Sequence, residues 1–158
     1  MTKETIQSFT YRISTANKTE MIAILYDIGR VYVKDATDCL NSGDKAGFRT
    51  NVNCVRNTVK ELMASVNTAD DLGRTFLSLY IFCNKQLTKA FLDHDPESLT
   101  VVDDMFKELG EVYHRISGLD RSKPVMDNAE TVYSGLTYNR SLSPESMTSG
   151  SSNRGFLA

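Results

Sequence analysis

The sequence has no tryptophan, three prolines, three cysteines and two histidines, and it carries no marked excess of either charge. Lys and Arg number 18 against 20 Asp and Glu, a net charge of -2, which argues against the strongly basic surface that tracks a phosphate backbone. Nucleic acid is therefore not an expected partner. No stretch approaches the ~20 apolar residues that cross a bilayer, so membrane insertion is not expected either. Met1-Thr2-Lys3-Glu4-Thr5-Ile6-Gln7 lacks the apolar run of a signal peptide, and the expectation is a cytoplasmic protein or, at most, one exported without a cleaved signal.

Cys39, Cys54 and Cys83 are isolated, odd in number and set in apolar helical patterns, with no C-x-x-C spacing. They read as reduced small hydrophobes. His94 falls in the turn Asp93-His94-Asp95, where a solvated side chain is expected. Glu111-Val112-Tyr113-His114 matches the Glu-x-x-His spacing of di-iron bundles, but no second copy exists to complete such a site. His114 also stands too near a helix end for phosphotransfer from mid-helix. Phosphate-cradling glycine loops and the G-x-S-x-G nucleophile turn are missing. No catalytic residue, metal or cofactor is expected, and the chain does not read as an enzyme.

The scarcity of proline carries the fold. The first is Pro96, so the preceding residues run without that helix breaker, which indicates an all-α chain. At 158 residues, the length fits about one domain. The first bundle helix is expected to open at Asn17, with Glu20 completing a capping box, and to stop at Asn41-Ser42-Gly43. Asp44 caps a second, whose stripe is Phe48, Val52, Val55, Val59, Leu62 and Val66. Thr68 caps a third, with Asp70 and Asp71 as carboxylates at the positive end of its dipole and Leu72, Phe76, Leu79, Tyr80, Cys83, Leu87 and Ala90 inward. Asp95-Pro96-Glu97 starts a fourth, with the stripe Leu99, Val102, Phe106, Leu109, Tyr113 and Ile116, closed by a left-handed Gly118.

The expected architecture is an antiparallel up-and-down four-helix bundle over 17–118. A segment over 1–16 that covers part of it comes first, and a disordered, flexible polar tail over 119–158 follows. The tail is richest in polar residues from Ser141 to Asn153, while Thr131 to Tyr133 and Thr137-Tyr138 could dock on the bundle.

Two helices hold more apolar residues than one stripe needs. In the third, Leu77 and Ile81 lie ~100 to 140° from the inward stripe and Phe82 lies on the other side. In the first, Met21, Leu25, Ile28, Tyr32 and Cys39 are assigned to the core. Ile22, Tyr26, Gly29, Val33 and Leu40 form a second line, in which Gly29 would let a foreign backbone approach closely. Contiguous apolar lines of this kind mark contact sites, and an amphipathic helix of another protein is the matching occupant. The chain's own N-terminal segment, Phe9 to Ile13, could fill such a groove until a partner takes it over. An adaptor binding some other amphipathic helix is the alternative reading of the same surplus.

Ile13-Ser14-Thr15-Ala16-Asn17 is similar to the V-x-T-A-S stretch of the flagellin-specific export chaperones of the FliS family, and Met21-Ile22-Ala23-Ile24-Leu25-Tyr26-Asp27 resembles their L-L-x-M-L-Y-D signature. Glu61-Leu62, Leu79-Tyr80 with Leu87, and Leu109 with Tyr113 fall where that family places E-L, L-Y and a closing L-x-x-x-W. The resemblance spans about residues 9 to 117. Lys18 stands for the usual Pro, Ile28 for a Gly and Tyr113 for the Trp, and the family's N-terminal Tyr is represented by Phe9 or Tyr11. It implies a helical bundle that binds the disordered C-terminal region of flagellin and works with the flagellar type III export apparatus. It also implies that Tyr11, Ile13, Thr15, Ala16 and the Tyr26-Asp27 pair lie at or beside the binding surface. Periodicity adds Ile22, Val33, Leu77, Ile81 and Phe82 to these candidates.

Overall fold

A side-chain oxygen caps the start of every helix in the computed structural model, which describes residues 1–126. Thr2 caps α1 (Lys3–Thr15), Asn17 caps α2 (Lys18–Ser42), Asp44 caps α3 (Lys45–Ala64), Asp70 caps α4 (Asp71–Asp93) and Asp95 caps α5 (Pro96–Ser117). Each accepts a backbone N–H that has no partner within the first turn. At α2 the box is reciprocal: the Glu20 N–H donates to Asn17 and the Asn17 N–H donates to the Glu20 carboxylate, both at 2.8 Å. Pro96 at the first position of α5 gives up no intrahelical bond.

The described residues are all helix and connection, with no strand, and hold five helices where the sequence suggests four. The extra one is α1. Its Phe9 and Ile13, four residues apart and so on one face, pack with Met1 and Ala16 against Ile24, Ile28 and Val31 of α2. Two of the expected terminators differ. His94, not a glycine, ends α4 in the left-handed region at φ 54° and stacks on Phe48 at 5.7 Å. Gly118 has an ordinary φ of -64°, because α5 runs on into a turn in which Leu119 and Asp120 donate to Ile116. The expected tail lies mostly outside the described residues, as do the segments 131–133 and 137–138.

Four helices enclose the core: α2 and α4 each pack against both α3 and α5, while α1 packs against α2 alone. The α3 stripe is inward as expected, with Phe48, Val52, Val55, Val59 and Leu62 buried. Leu72 of α4 is two-thirds exposed instead of inward, because α4 has barely begun there.

The largest correction concerns α2. The line Tyr26, Gly29, Val33 and Ala36 is buried in the main core, with Ile22 and Leu40 packed at its edge. The line assigned to the core from the sequence, Met21, Leu25, Ile28, Tyr32 and Cys39, is only half-buried. Two apolar lines on one helix are close to interchangeable by hydrophobicity alone, and size decides between them. Gly29 supplies the space: a Cβ there would sit 2.3 Å from Cε2 of Phe106, so the missing side chain admits that ring. Its role is internal packing against Phe106, not approach by a foreign backbone. Phe106 in turn meets Tyr26 edge to face at 5.7 Å.

Candidate partner-binding surface

The sequence-derived candidates separate into three groups. Tyr26, Val33 and Ala16 are buried, at 0%, 2% and 2% exposure, and this corrects their assignment to an open surface. Tyr26 lies under α5 and α4: its ring meets Phe106 and Tyr113, and its hydroxyl shares a 2.5 Å hydrogen bond with that of Tyr80. Burial, reinforced by that bond, raises the Tyr26 phenol well above its ordinary range, and burial pushes Tyr80 up to about 12. Val33 is closed off by the same core. Ala16 is enclosed at the α1–α2 junction with Phe9 and Ile24. Ile22 is half-buried against the main core.

A second group surrounds α1. Tyr11 and Thr15 are exposed, and Ile13 is half-buried against the small cluster under the helix. Asp27, half-buried, receives Arg12 of α1 at 2.5 Å on one oxygen and the His114 ring of α5 at 3.0 Å on the other. Asp27 thus ties three helices together at one point. His114 is thereby placed on a carboxylate at the protein surface, and among the described residues no group of three or more His, Cys, Asp or Glu is arranged to hold a metal ion. Beside α1, a cleft of about 520 Å³ is lined by Phe9, Val31 and Leu99 with the Arg30–Asp103 ion pair at its edge.

The third group remains open. Ile81 and Phe82 of α4 are 43% and 41% exposed, and Leu77 is half-buried. Leu77 and Ile81 share a flank with Asn84 and Thr88, which reach Met63 and Arg56 of α3. Phe82 falls on the side of Cys83, whose thiol meets Met105 of α5 at 3.7 Å. Ile81 and Phe82 therefore put exposed apolar side chains on the two flanks of α4, with exposed Ser78, Lys85 and Lys89 between them.

Sequence reasoning missed two members. Val112 and Ile116 of α5 are 40% and 46% exposed, although Ile116 reads as core by spacing. A signal was present: Met105, Leu109, Val112 and Ile116 repeat at four, three and four residues, a second line on the flank that meets α4. Leu109 and Met105 are partly buried against the core, so this line grades from the interior to the surface.

Among the described residues no helix is long and apolar enough to cross a membrane. No curated protein matches the chain. The family model described as flagellar protein FliS matches residues 1–120, which takes in all five helices and the turn after the last. The resemblance first carried by Met21 to Asp27 thus extends over three quarters of the sequence, and the chain belongs to the FliS family.

Proposed function

We propose that this protein is a cytoplasmic export chaperone that binds the disordered C-terminal region of flagellin, prevents its premature polymerisation and supports its delivery to the flagellar type III export apparatus. Family membership supports the flagellar role. The observation that carries the binding role is the set of exposed apolar side chains, Ile81, Phe82, Val112 and Ile116, on helices whose inner faces already fill the core. Such side chains gain by burial under an amphipathic helix of a partner.

The scaffold proposed for this work is an antiparallel up-and-down arrangement of α2 to α5. Residue numbers support it by rising along one helix as they fall along the next: Asp27 and Arg30 meet His114 and Asp103, and Arg56 and Met63 meet Thr88 and Asn84. Rigid helices of this kind present side chains at fixed spacing. A flagellin terminus, unfolded in solution, folds as it docks, burying on the order of 1,000 to 3,000 Å² while losing a few kcal/mol to ordering, which leaves binding reversible without covalent chemistry. In the free protein α1 occupies the outer face of α2 over Ile24, Ile28 and Val31, and this helix yields that face to the partner.

The test is calorimetric titration of a flagellin C-terminal fragment into the full-length chain and into Ile81→Asp and Phe82→Asp. Each substitution is at a residue already some two-fifths exposed, so helicity and melting should change little. Capture should weaken tenfold or more, about 1.4 kcal/mol. Unchanged affinity in both variants would remove the outer face of α4 from the binding surface.

A further inference from the structure

The residues after α5 return to the junction between α1 and α2. The Val125 N–H donates to the Ala16 carbonyl at 3.0 Å, the Asn17 side-chain amide donates to the Asp120 carbonyl at 3.2 Å, and the Thr19 hydroxyl donates to the Asp120 carboxylate at 2.5 Å. These bonds link positions more than a hundred residues apart in sequence; two of them fall on Ala16 and Asn17, the residues that separate the helices, and the third on Thr19 in the first turn of α2.

Ala16 and Asn17 are both in extended backbone and are 2% and 4% exposed. Asn17 is fully committed: its side-chain oxygen and backbone N–H form the capping box with Glu20, its carbonyl accepts from Met21, and its amide nitrogen reaches Asp120. The Ala16 N–H returns to Ile13, and its carbonyl is taken by Val125. Each polar group of the hinge is thus satisfied, and the groups not satisfied by the hinge's own helices are satisfied by residues 120 and 125. The Thr19 hydroxyl and the Ser122 N–H hold the Asp120 carboxyl below the usual carboxylate range.

The helix that this hinge serves is lightly held. It packs against α2 alone, through Phe9, Ile13 and Met1, with ion pairs from the Met1 amine to Asp35 and from Arg12 to Asp27. Elements with few buried contacts open at lower free energy than the core, and their opening is set by the few interactions that close them. A hinge whose carbonyl and amide are bonded to a distant segment swings only after that segment lets go, because a buried polar group left without its partner is disfavoured.

We propose that residues 120–125 form a latch on the α1–α2 hinge, so that release of this segment permits α1 to lift from Ile24, Ile28 and Val31. The device makes exposure of the α2 outer face conditional on the chain that follows α5. Its use in admitting a partner rests on the function proposed above, but the latch itself is a property of the free protein.

Hydrogen exchange read by mass spectrometry on the full-length chain tests it without any partner. Val125→Pro removes the donor to Ala16, and Thr19→Val removes the bond to Asp120 with little change of shape. In the double variant the α1 amides should exchange about tenfold faster, while α3 and α5 keep the parent rates. Unchanged α1 exchange overturns the latch, and so does acceleration spread equally over α3 and α5, which would make the segment part of the general fold. Capture of the flagellin fragment is then measured on the same variant. Faster α1 exchange with no change in capture rate upholds the latch and instead refutes the covering role of α1.

Discussion

Removing one of the two hydroxyls in the Tyr26–Tyr80 pair should be worse than removing both. The oxygens lie 2.5 Å apart at residues 0% and 1% exposed, and no buried side-chain polar atom among the described residues lacks a partner. Tyr80→Phe leaves the Tyr26 hydroxyl buried and unpartnered, a loss of roughly 1–3 kcal/mol, and Tyr26→Phe does the same to Tyr80. The double variant leaves no orphan and keeps both rings, including the Tyr26–Phe106 and Phe76–Tyr80 contacts. Its loss should therefore be no larger than that of either single variant, with a coupling energy of about 1–2 kcal/mol. For a domain of this size ~1 kcal/mol moves the midpoint by roughly 2–4 °C, so each single variant should melt about 2–12 °C below the parent. Thermal and urea denaturation followed by circular dichroism give all four corners of the cycle.

The same pair fixes a pH dependence. Burial is the main reason both phenols titrate above their ordinary value of 10.0 in the folded protein, with Tyr80 at about 12. A folded-state value raised above the unfolded one means the protonated pair contributes fully below pH ~10 and loses its contribution as pH rises toward ~12. The parent should lose stability over that window more steeply than the double Phe variant. Additive single losses, or identical alkaline profiles, would show that water reaches these hydroxyls and that the reasoning from burial is wrong.

Further outcomes follow from packing and burial. Gly29→Ala gains helix propensity of up to ~1 kcal/mol, yet its Cβ would stand 2.3 and 2.7 Å from Phe106 ring atoms, so overpacking of about 1–3 kcal/mol should win and the variant should melt lower; a higher midpoint would refute the role given to Gly29. A thiol reagent at neutral pH should modify half-buried Cys39 and Cys54 in the native protein but reach Cys83 only on unfolding, since burial pushes that thiol up to about 12; equal rates at all three would contradict it.

Helix positions were legible because their signals are local. Asn17 with Glu20, Asp44, and Asp95 before Pro96 act on the first turn alone, and the structure starts α2, α3 and α5 at these residues. The α3 stripe was equally plain, since one face is apolar and the other is not. On α2 the periodicity offered two apolar lines, and the one that faces inward could not be ranked from hydrophobicity. Tyr26 therefore reads as surface by spacing, whereas the structure buries it in the core.

Helical character, the starts of most helices and the resemblance to the FliS family can be read along the chain, because caps, proline placement and short motifs are properties of neighbouring residues. Which line of α2 is buried is set by packing in three dimensions, since it depends on the fit of the Phe106 ring over Gly29 from a helix some eighty residues away. The same packing leaves Val112 and Ile116 exposed and brings residues 120 and 125 onto the α1–α2 hinge. Contacts between distant segments have no signature in local spacing, and they exist only once the core has fixed which faces remain outside.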